Sequence, residues 1–242
     1  MALPFFCKAD IDFTTTAIKL DEATSKHVVQ VLRMQNGEQV QLTDGKGNLF
    51  TCKITDNNRK QCTVAITQKS TIANYKSIVI GISLLKNTTR FEWFLEKATE
   101  LGVTEIIPLI CERTEKTKFK IERLQSILVS AMLQSQQCWL PILHQPIKLD
   151  KIWQSFQTLP KLAQQQKFIA HCEDENEKVP LSSTLLNGST LKLILIGPEG
   201  DFTKQEIEMA LQNNFIPVTL GNTRLRTETA GVVAATLLNI AY

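Results

Sequence analysis

The chain has 242 residues, of which 43% are hydrophobic and 21% are charged, and its formal net charge is +3. This composition excludes a disordered chain, and the small net charge excludes a uniformly basic nucleic-acid binder. We find no run of eighteen apolar residues and no charged-then-apolar leader, so we expect a cytoplasmic protein that does not enter a membrane.

The six cysteines are scattered, with neither a C-x-x-C pair nor a histidine at ligand spacing. This pattern predicts free thiols and no metal site. The three histidines, His27, His144 and His171, are isolated in the sequence, and isolated histidines are more often structural than catalytic.

Residues 1–72 predict a small β-rich domain with one helix. Asp21 to Leu32 has amphipathic helical spacing, and Asn36-Gly37 ends it. Short strands joined by hairpins are typical of a small barrel. The predicted strands are Gln39–Thr43, Leu49–Ile54 and Gln61–Gln68, separated by the turns Asp44-Gly45-Lys46-Gly47 and Asp56-Asn57-Asn58.

Residues 70–76 resemble a linker, and residues 73–242 predict a second domain in which strands and helices alternate. This alternation indicates a mostly parallel sheet covered on both faces, and chain statistics alone favour an unknotted one. The predicted strands are Ser77–Leu85, Val103–Ile110, Lys167–Cys172, Leu191–Ile196 and Ile216–Leu220. The predicted helices are Arg90–Leu101, Phe119–Gln137, Asp150–Phe156, Lys204–Asn214 and a last one from Ala230 towards Tyr242.

Two glycine-bearing turns follow the last two predicted strands. They are Ile196-Gly197-Pro198-Glu199-Gly200-Asp201 and Leu220-Gly221-Asn222, and Thr203 to Glu206 forms a capping box after the first. Ligands bind at the carboxyl ends of parallel strands, where glycine lets the backbone approach them closely. One such turn is more often a plain connection, but two in one sheet favour a ligand site. The absence of a G-x-G-x-x-G pattern makes a dinucleotide-dependent oxidoreductase a distant alternative.

The motifs GPEGDF, from Gly197, and LG-x-x-x-LRTETA, from Leu220, resemble the carboxyl-terminal signature of the RsmE family. The resemblance extends to Lys86-x-x-x-Arg90-Phe91-Glu92, to Lys97 through Val103 and to Asp44-Gly45-Lys46-Gly47, so it covers the whole chain. It implies an α/β fold of the SPOUT superfamily, with a parallel sheet and a carboxyl-terminal trefoil knot, after a PUA-like barrel that contacts RNA. It also implies a homodimer that uses S-adenosylmethionine to methylate N3 of a uridine in the 16S rRNA of the small ribosomal subunit.

The paired turns and the resemblance together predict which residues contact the cofactor. A sulfonium methyl donor needs no metal, and its adenosine needs an apolar slot with a few backbone donors and acceptors. A third wall is expected from the loop at His171 to Glu173. The predicted cofactor contacts are Ile196, Gly197, Pro198, Gly200, Leu220, Gly221, Leu225, Ala230, His171 and Glu173.

Uridine N3 must lose a proton, which a carboxylate can accept while a guanidinium stabilises the charge on the flanking carbonyls. Arg226 and Glu228 are the first candidates, and Glu199 is the next. The alternative is that Arg226 and Glu228 pair with each other or cap the last helix. The candidates for RNA contact are Arg33, Lys46, Lys53, Arg59 and Lys60 in the first domain and Arg90, Arg113, Lys116, Lys118 and Lys120 in the second, although any one of them is more often a solvated surface charge.

Gln137 stands where relatives carry a basic residue before the proline, which puts an RNA contact at that place in doubt. Two further interpretations remain open from the residues. One is a SPOUT RNA methyltransferase of other specificity, acting on a ribose 2′-hydroxyl or another base. The other is a non-catalytic RNA-binding factor of ribosome assembly that kept the fold.

Overall fold

The computed structural model describes residues 3–12, 14–115, 118–158, 165–173, 177–185 and 191–240, with only the backbone for 154–158. The chain divides into two compact units. The first comprises Met1–Asn74 together with Met132–Leu140, and the second comprises Tyr75–Ala131 together with Pro141–Tyr242. Sequence order alone assigned 132–140 to the second domain, whereas its contacts group it with the first.

The first unit is built on a five-stranded sheet in the order β1-β3-β4-β5-β2, with β1 and β2 at its edges. All pairings in it are antiparallel except that of β1 with β3. Phe50, Cys52 and Ile54 of β4 point alternately into the core, as the predicted strand pattern requires. The elements are β1 (Phe5–Cys7), β2 (Ala17–Lys19), α1 (Glu22–Lys26) with a π-helical turn (His27–Val31), β3 (Gln39–Thr43), β4 (Asn48–Asp56) and β5 (Thr63–Thr71). Thus β5 continues into the segment predicted as a linker.

The Asp44-Gly45-Lys46-Gly47 turn of the first unit packs against Trp139. Gly47 has φ +93°, and a Cβ there would overlap the Trp139 ring. The indole Nε1 donates to the carbonyl of Ile72 at 2.7 Å. The Asp44 carboxylate closes the turn by accepting from the backbone amide of Lys46 at 2.8 Å. The glycines of this motif therefore have a packing role, which explains why residues 132–140 group with the first unit.

The second unit contains an eight-stranded sheet in the order β11-β13-β10-β12-β6-β7-β8, with β9 also on β7. Every strand pairing described in this sheet is parallel, as predicted. The strands are β6 (Ile78–Ser83), β7 (Glu105–Ile110), β8 (Ile142–Leu143), β9 (Ile147–Lys148), β10 (Gln165–Ala170), β11 (Val179–Pro180), β12 (Leu191–Ile196) and β13 (Ile216–Thr219). The helices are α2 (Thr88–Glu100), α3 (Ile121–Gln134), α4 (Leu149–Thr158), α5 (Leu181–Thr184), α6 (Lys204–Gln212) and α7 (Thr227–Ile240).

Helices cover both faces of this sheet. On one face, Ile152 of α4 and Ile207 of α6 join a core with Leu193 and Leu195 of β12. On the other face, α7 packs on α2 and β6, where Gly231 lies against Phe94 and Ile82. Since successive strand residues point to opposite faces, the fully buried β12 (LKLILI) supplies side chains to both cores.

Two helix ends bear on the site. Thr203 and Glu206 form the predicted capping box at the start of α6, an arrangement whose cap contributes about 1 kcal/mol. The predicted start of α7 at Ala230 is wrong, because the helix begins at Thr227 and the amide of Ala230 already donates to the carbonyl of Arg226 at 2.8 Å. Glu228 therefore lies in the first helical turn rather than in a loop.

None of the helices in the described part of the chain has both the length and the apolar character needed to cross a bilayer.

Candidate functional site

A cavity of about 620 Å³ opens at the carboxyl edge of the parallel sheet in the second unit. It lies where β10, β12 and β13 end and where α7 begins. Its size falls within the range of small-molecule sites, roughly 300–1,000 Å³. The lining residues are Ala170 to Cys172, Lys178, Ile196 to Glu199, Asp201, Val218 to Thr227 and Ala230.

The first wall is the loop after β12, which is held in a compact turn. A Cβ at Gly197 would come within 3.0 Å of the Phe202 ring, so only glycine fits there without displacing a buried side chain. The Asp201 amide donates to the carbonyl of Pro198 at 2.9 Å. The Asp201 carboxylate also accepts from the amide of Cys172 at 2.7 Å. Asp201 thus connects the first wall to the loop after β10 through a hydrogen bond.

The second wall is the loop after β13, from Leu220 to Arg226. Gly221 has φ +134°, a backbone conformation that other residues rarely adopt, and no atom lies near where its Cβ would be. Leu225 is half-buried, whereas Arg224 and Arg226 are exposed. The loop therefore contributes two apolar side chains, Leu220 and Leu225, an open stretch of backbone and two solvent-facing cations to the cavity.

The third wall carries His171, whose imidazole is 8% exposed. Neither of its ring nitrogens makes a well-aligned hydrogen bond with any of the described residues. Burial, assisted by the nearby Lys178 ammonium, lowers the pKa of His171 from its ordinary value, so the ring is neutral at neutral pH. Buried polar atoms without partners are rare in folded proteins. A neutral ring with one donor and one acceptor left unused in a cavity wall is suited to hydrogen bonding with a polar ligand.

Of the three predicted catalytic residues, Arg226 and Glu199 line the cavity, whereas Glu228 does not. Glu228 is buried on α7, immediately after the cavity-lining Thr227. Its Oε1 lies 3.6 Å from Nε of Arg90, and its Oε2 has no hydrogen-bond partner in the part of the chain that the structure describes. The alternative in which Glu228 pairs with Arg226 is wrong, because Arg226 is exposed and the ion pair of Glu228 is with Arg90. Glu199 is exposed at the cavity, and its Oε1 accepts from the amide of Lys86 at 3.3 Å.

Two predicted cofactor contacts do not line the cavity. The Gly200 carbonyl accepts from the Arg113 guanidinium at 2.7 Å, and the Glu173 carbonyl accepts from the Lys178 ammonium at 2.8 Å. All the other predicted cofactor contacts line it: Ile196, Gly197, Pro198, Leu220, Gly221, Leu225, Ala230 and His171.

The residues predicted to contact RNA fall in both units. Arg33, Lys46, Lys53, Arg59 and Lys60 lie in the first unit, and all five are exposed. Arg90 is paired with Glu228, and Arg113 holds the first wall through Gly200. Lys118 and Lys120 are exposed in the second unit, while Lys116 lies outside the described residues. Gln137, at the position of the basic residue, donates to the Ser135 hydroxyl at 2.9 Å.

Sequence reasoning missed several lining residues. Asp201 was visible as the last letter of the first turn, but nothing in the sequence indicated that its carboxylate reaches Cys172. Lys178 has no motif of its own. Within the described ranges, no cluster of His, Cys, Asp and Glu could hold a metal ion.

Two family profiles match the chain. One, described as an RNA methyltransferase domain, matches residues 73–239, and the other, described as an RNA methyltransferase PUA domain, matches residues 20–67. The first covers more than half of the chain, so the second unit carries an RNA methyltransferase domain and the first carries a PUA domain.

Whole-chain relatives agree with the two profiles. The structure of a probable rRNA-methyltransferase from Porphyromonas gingivalis is 36% identical, has a TM-score of 0.86 and covers 96% of this chain and 95% of its own. The structure of the ribosomal RNA small subunit methyltransferase E of Neisseria gonorrhoeae was solved bound to S-adenosyl methionine. It is 28% identical with a TM-score of 0.82, and the match covers 97% of this chain and 95% of the Neisseria chain. The protein of the same name from Rickettsia conorii is 29% identical over 89% of this chain and 87% of its own. The profile match and these relatives show that the chain belongs to the RNA methyltransferase family that includes the ribosomal RNA small subunit methyltransferases E.

Proposed function

We propose that the protein transfers a methyl group from S-adenosylmethionine to N3 of a uridine in the 16S rRNA of the small ribosomal subunit. The observation that carries the proposal is the cavity of about 620 Å³ between the GPEGDF and LG-x-x-x-LRTETA loops. The names of the relatives from Rickettsia conorii and Neisseria gonorrhoeae support the substrate, and the cofactor in the latter structure supports the methyl donor.

The cavity has the chemistry that a nucleoside cofactor requires. Leu220 and Leu225, both half-buried, give it accessible apolar surface for a purine ring, and the open backbone at Gly221 leaves room for close contact. His171 supplies one ring donor and one ring acceptor that nothing else in the described chain uses. When bound, S-adenosylmethionine supplies an electrophilic methyl group. The chain itself has to hold the uracil in line and remove its proton.

Glu228 is the residue we assign to proton removal. Its Oε2 is buried without a hydrogen bond to any described residue, which costs folding free energy. Such unpaired buried groups are rare, and a catalytic role is one explanation for retaining one. Arg90 fixes the other oxygen. The exposed guanidinium of Arg226 at the cavity can stabilise the negative charge that develops on the uracil carbonyls. Glu199, also at the cavity, is the second candidate for the base.

A trefoil knot in the second unit is part of the proposal. The strand order places β13 beside β10 and not beside β12, whereas α7, which follows β13, packs on β6. The chain must therefore pass the carboxyl ends of β10 and β12 between β13 and α7. This return past the GPEGDF loop is the step at which threading would occur.

We also propose that the protein is a homodimer that acts in the cytoplasm. The support for the dimer lies on α7, which is buried only along Gly231, Ala234, Ala235 and Leu238 beyond its first turn. Ile240 is 76% exposed, and Val232, Val233 and Leu237 are half-buried. This apolar flank is the surface that a second copy would cover. A mass equal to one chain in light scattering at micromolar concentration would contradict the dimer.

The test of the activity uses the purified full-length protein. We expect calorimetry to detect binding of S-adenosylmethionine and of its demethylated product. Incubation with 16S rRNA or small subunits should then yield 3-methyluridine on nucleoside mass spectrometry. Methylation at a ribose or another base would establish the other SPOUT specificity, and absence of cofactor binding would favour a non-catalytic assembly factor.

A further inference from the structure

A second cavity, of about 360 Å³, lies in the second unit and is assigned to no ligand by the proposed function. Its inner surface is apolar, with Leu84 and Leu85 after β6 and Leu124 on α3. Its remaining lining is polar and basic and includes Lys118, Lys120 and Arg123, together with the half-buried ring of Phe119. The volume is at the lower end of the range for ligand sites, roughly 300–1,000 Å³, and so suits one small planar group.

The two cavities open at the same edge of the sheet. Strands β6 and β12 are parallel neighbours in which Ile82 pairs with Ile196. Leu84 and Leu85, just after β6, line the smaller cavity, and Gly197 to Glu199, just after β12, line the larger. The amide of Lys86 then donates to Oε1 of Glu199 at 3.3 Å. One polymer strand laid along this edge would therefore pass both cavities.

The charge around the smaller cavity favours an anionic ligand. Arg123 is held by Glu92, its Nη2 donating to Oε2 at 2.8 Å. Lys118 and Lys120 form no ion pair with any described residue and are both exposed. Thr88 and Thr89, which also line the cavity, form the start of the thirteen-residue helix α2. The dipole of this helix favours a negative charge at its amino terminus. Three cations thus face one carboxylate, beside an aromatic ring and an apolar floor.

We propose that this cavity binds a nucleotide of the substrate RNA adjacent to the methylated one. The base stacks on Phe119 over the leucine floor, and Lys118 and Lys120 contact its phosphates. Aromatic rings beside lysines are the usual means of holding an unpaired base and its backbone, because every base has a face that can stack. The inference rests on the proposed function for the identity of the RNA, while the cavity itself is separate from the cofactor site.

The test compares two double variants of the full-length protein. Lys118→Gln with Lys120→Gln removes the two cavity lysines and leaves Arg123, and Lys148→Gln with Lys151→Gln removes two exposed lysines that line neither cavity. Binding of a single-stranded RNA carrying the target uridine is followed by fluorescence anisotropy over a salt series. We expect the cavity variant to bind RNA on the order of 10-fold more weakly. The slope of log K against log salt should become shallower by about 0.7 for each phosphate that no longer has a lysine beside it. The control variant should match wild type.

Phe119→Ala should weaken RNA binding, and Phe119→Tyr, which keeps the ring, should restore it. Uridine 5′-monophosphate should compete with the RNA better than inorganic phosphate does, whereas equal competition would overturn the assignment of a base to the cavity. Affinity for S-adenosylmethionine is measured for every variant and should not change. If wild type binds the cofactor and methylates RNA but the cavity variant keeps full RNA affinity, the second site is wrong and the activity stands. If wild type binds RNA through the cavity lysines but never binds cofactor, the second site stands and the proposed activity fails.

Discussion

Nε of Arg90 on α2 lies 3.6 Å from Oε1 of Glu228 on α7, and the two side chains differ sharply in exposure. The Glu228 side chain is 9% exposed, while the Arg90 side chain is 40% exposed. The ion pair on Oε1 restricts the orientation of the Glu228 carboxylate, while Oε2 keeps its capacity to accept a hydrogen bond. Arg90 remains a predicted RNA contact, and we propose from this ion pair that it also orients Glu228.

Glu228→Gln should abolish most methyl transfer while leaving cofactor binding intact. Glutamine keeps the shape of the side chain but cannot accept a proton, and general base catalysis typically contributes about 10²–10⁴-fold to a rate. We expect kcat on 16S rRNA to fall at least about 100-fold, with the affinity for S-adenosylmethionine within about twofold of wild type by calorimetry. Glu199→Gln is the matched control at the cavity, and a larger loss there than in Glu228→Gln would transfer the assignment to Glu199.

Arg90→Gln tests whether Arg90 acts through Glu228. Removing the guanidinium leaves the buried carboxylate without its charged partner, so kcat should fall about 10-fold or more. The double variant with Glu228→Gln should be no slower than Glu228→Gln alone, because the two changes remove one function. Additive losses would contradict this coupling. An RNA contact would instead weaken RNA affinity equally in the presence and absence of Glu228.

His171 gives the protein a dependence on pH in the acid range. Burial lowers the pKa of His171, so the unfolded chain takes up this proton first as pH falls. The folded state is therefore fully stable above the unfolded pKa of about 6.5, and it loses stability as pH falls from there towards the lowered folded pKa. We expect urea unfolding to show a larger loss between pH 7.5 and 5.5 for wild type than for His171→Gln, since glutamine cannot be protonated.

The same proton should affect the cofactor site. A protonated imidazole beside Lys178 would place a second positive charge at the cavity wall and remove the ring acceptor. Calorimetry should therefore show weaker binding of S-adenosylmethionine at pH 5.5 than at pH 7.5 in wild type and a smaller difference in His171→Gln. His144→Gln is the control, because His144 pairs with Glu105 and does not line the cavity. Equal pH dependence in wild type and His171→Gln would show that His171 does not contact the ligand.

Periodicity predicted the parallel sheet and its helices because strands such as Leu191–Ile196 are short, mainly apolar runs, with Lys192 as the one charged residue. The glycine turns predicted two walls of the cavity, since a turn after a buried strand is a local feature. The features that the sequence did not predict are short strands and contacts between residues far apart in the chain. Three-residue strands such as β1 and β2 are too short for periodicity, and the Arg90 to Glu228 pair joins residues far apart in the chain. The place of residues 132–140 depends on Trp139 fitting over Gly47, a contact that no local pattern encodes.

Gly47→Ala should destabilise the protein by displacing Trp139. An added Cβ would overlap the indole, and the positive φ of +93° at this residue adds backbone strain. We expect a loss of about 2–4 kcal/mol in the free energy of unfolding, with a red shift in tryptophan emission as Trp139, which is 37% exposed in the folded protein, becomes more exposed. Gly37→Ala is the control, since it carries a similar strain at φ +96° but meets only Lys53 Cε at 3.6 Å. Equal losses in the two variants would mean that the strain, and not the Trp139 contact, sets the cost.

Gly231→Ala should loosen the packing of α7 on α2. The added Cβ would lie 2.6 Å from Cε2 of Phe94 and 3.0 Å from Cδ1 of Ile82, and both of these side chains are buried. Overpacking costs about 1–3 kcal/mol, of which the better helix propensity of alanine returns up to about 1 kcal/mol. Because the contact with Phe94 would be shorter than 3.0 Å, we expect the upper end of this cost, and urea denaturation should give a net loss of about 2 kcal/mol.

The matched control for Gly231→Ala is Gly200→Ala, where the added Cβ would meet its nearest neighbour, Arg113 Cδ, at 3.4 Å. That variant should change the free energy of unfolding by less than about 0.5 kcal/mol. Phe94→Leu shortens the side chain that the methyl group introduced by Gly231→Ala would strike, so adding it to Gly231→Ala should cost less than it costs alone in wild type. If the two changes are instead additive, the close contact between Gly231 and Phe94 does not determine how α7 sits on α2.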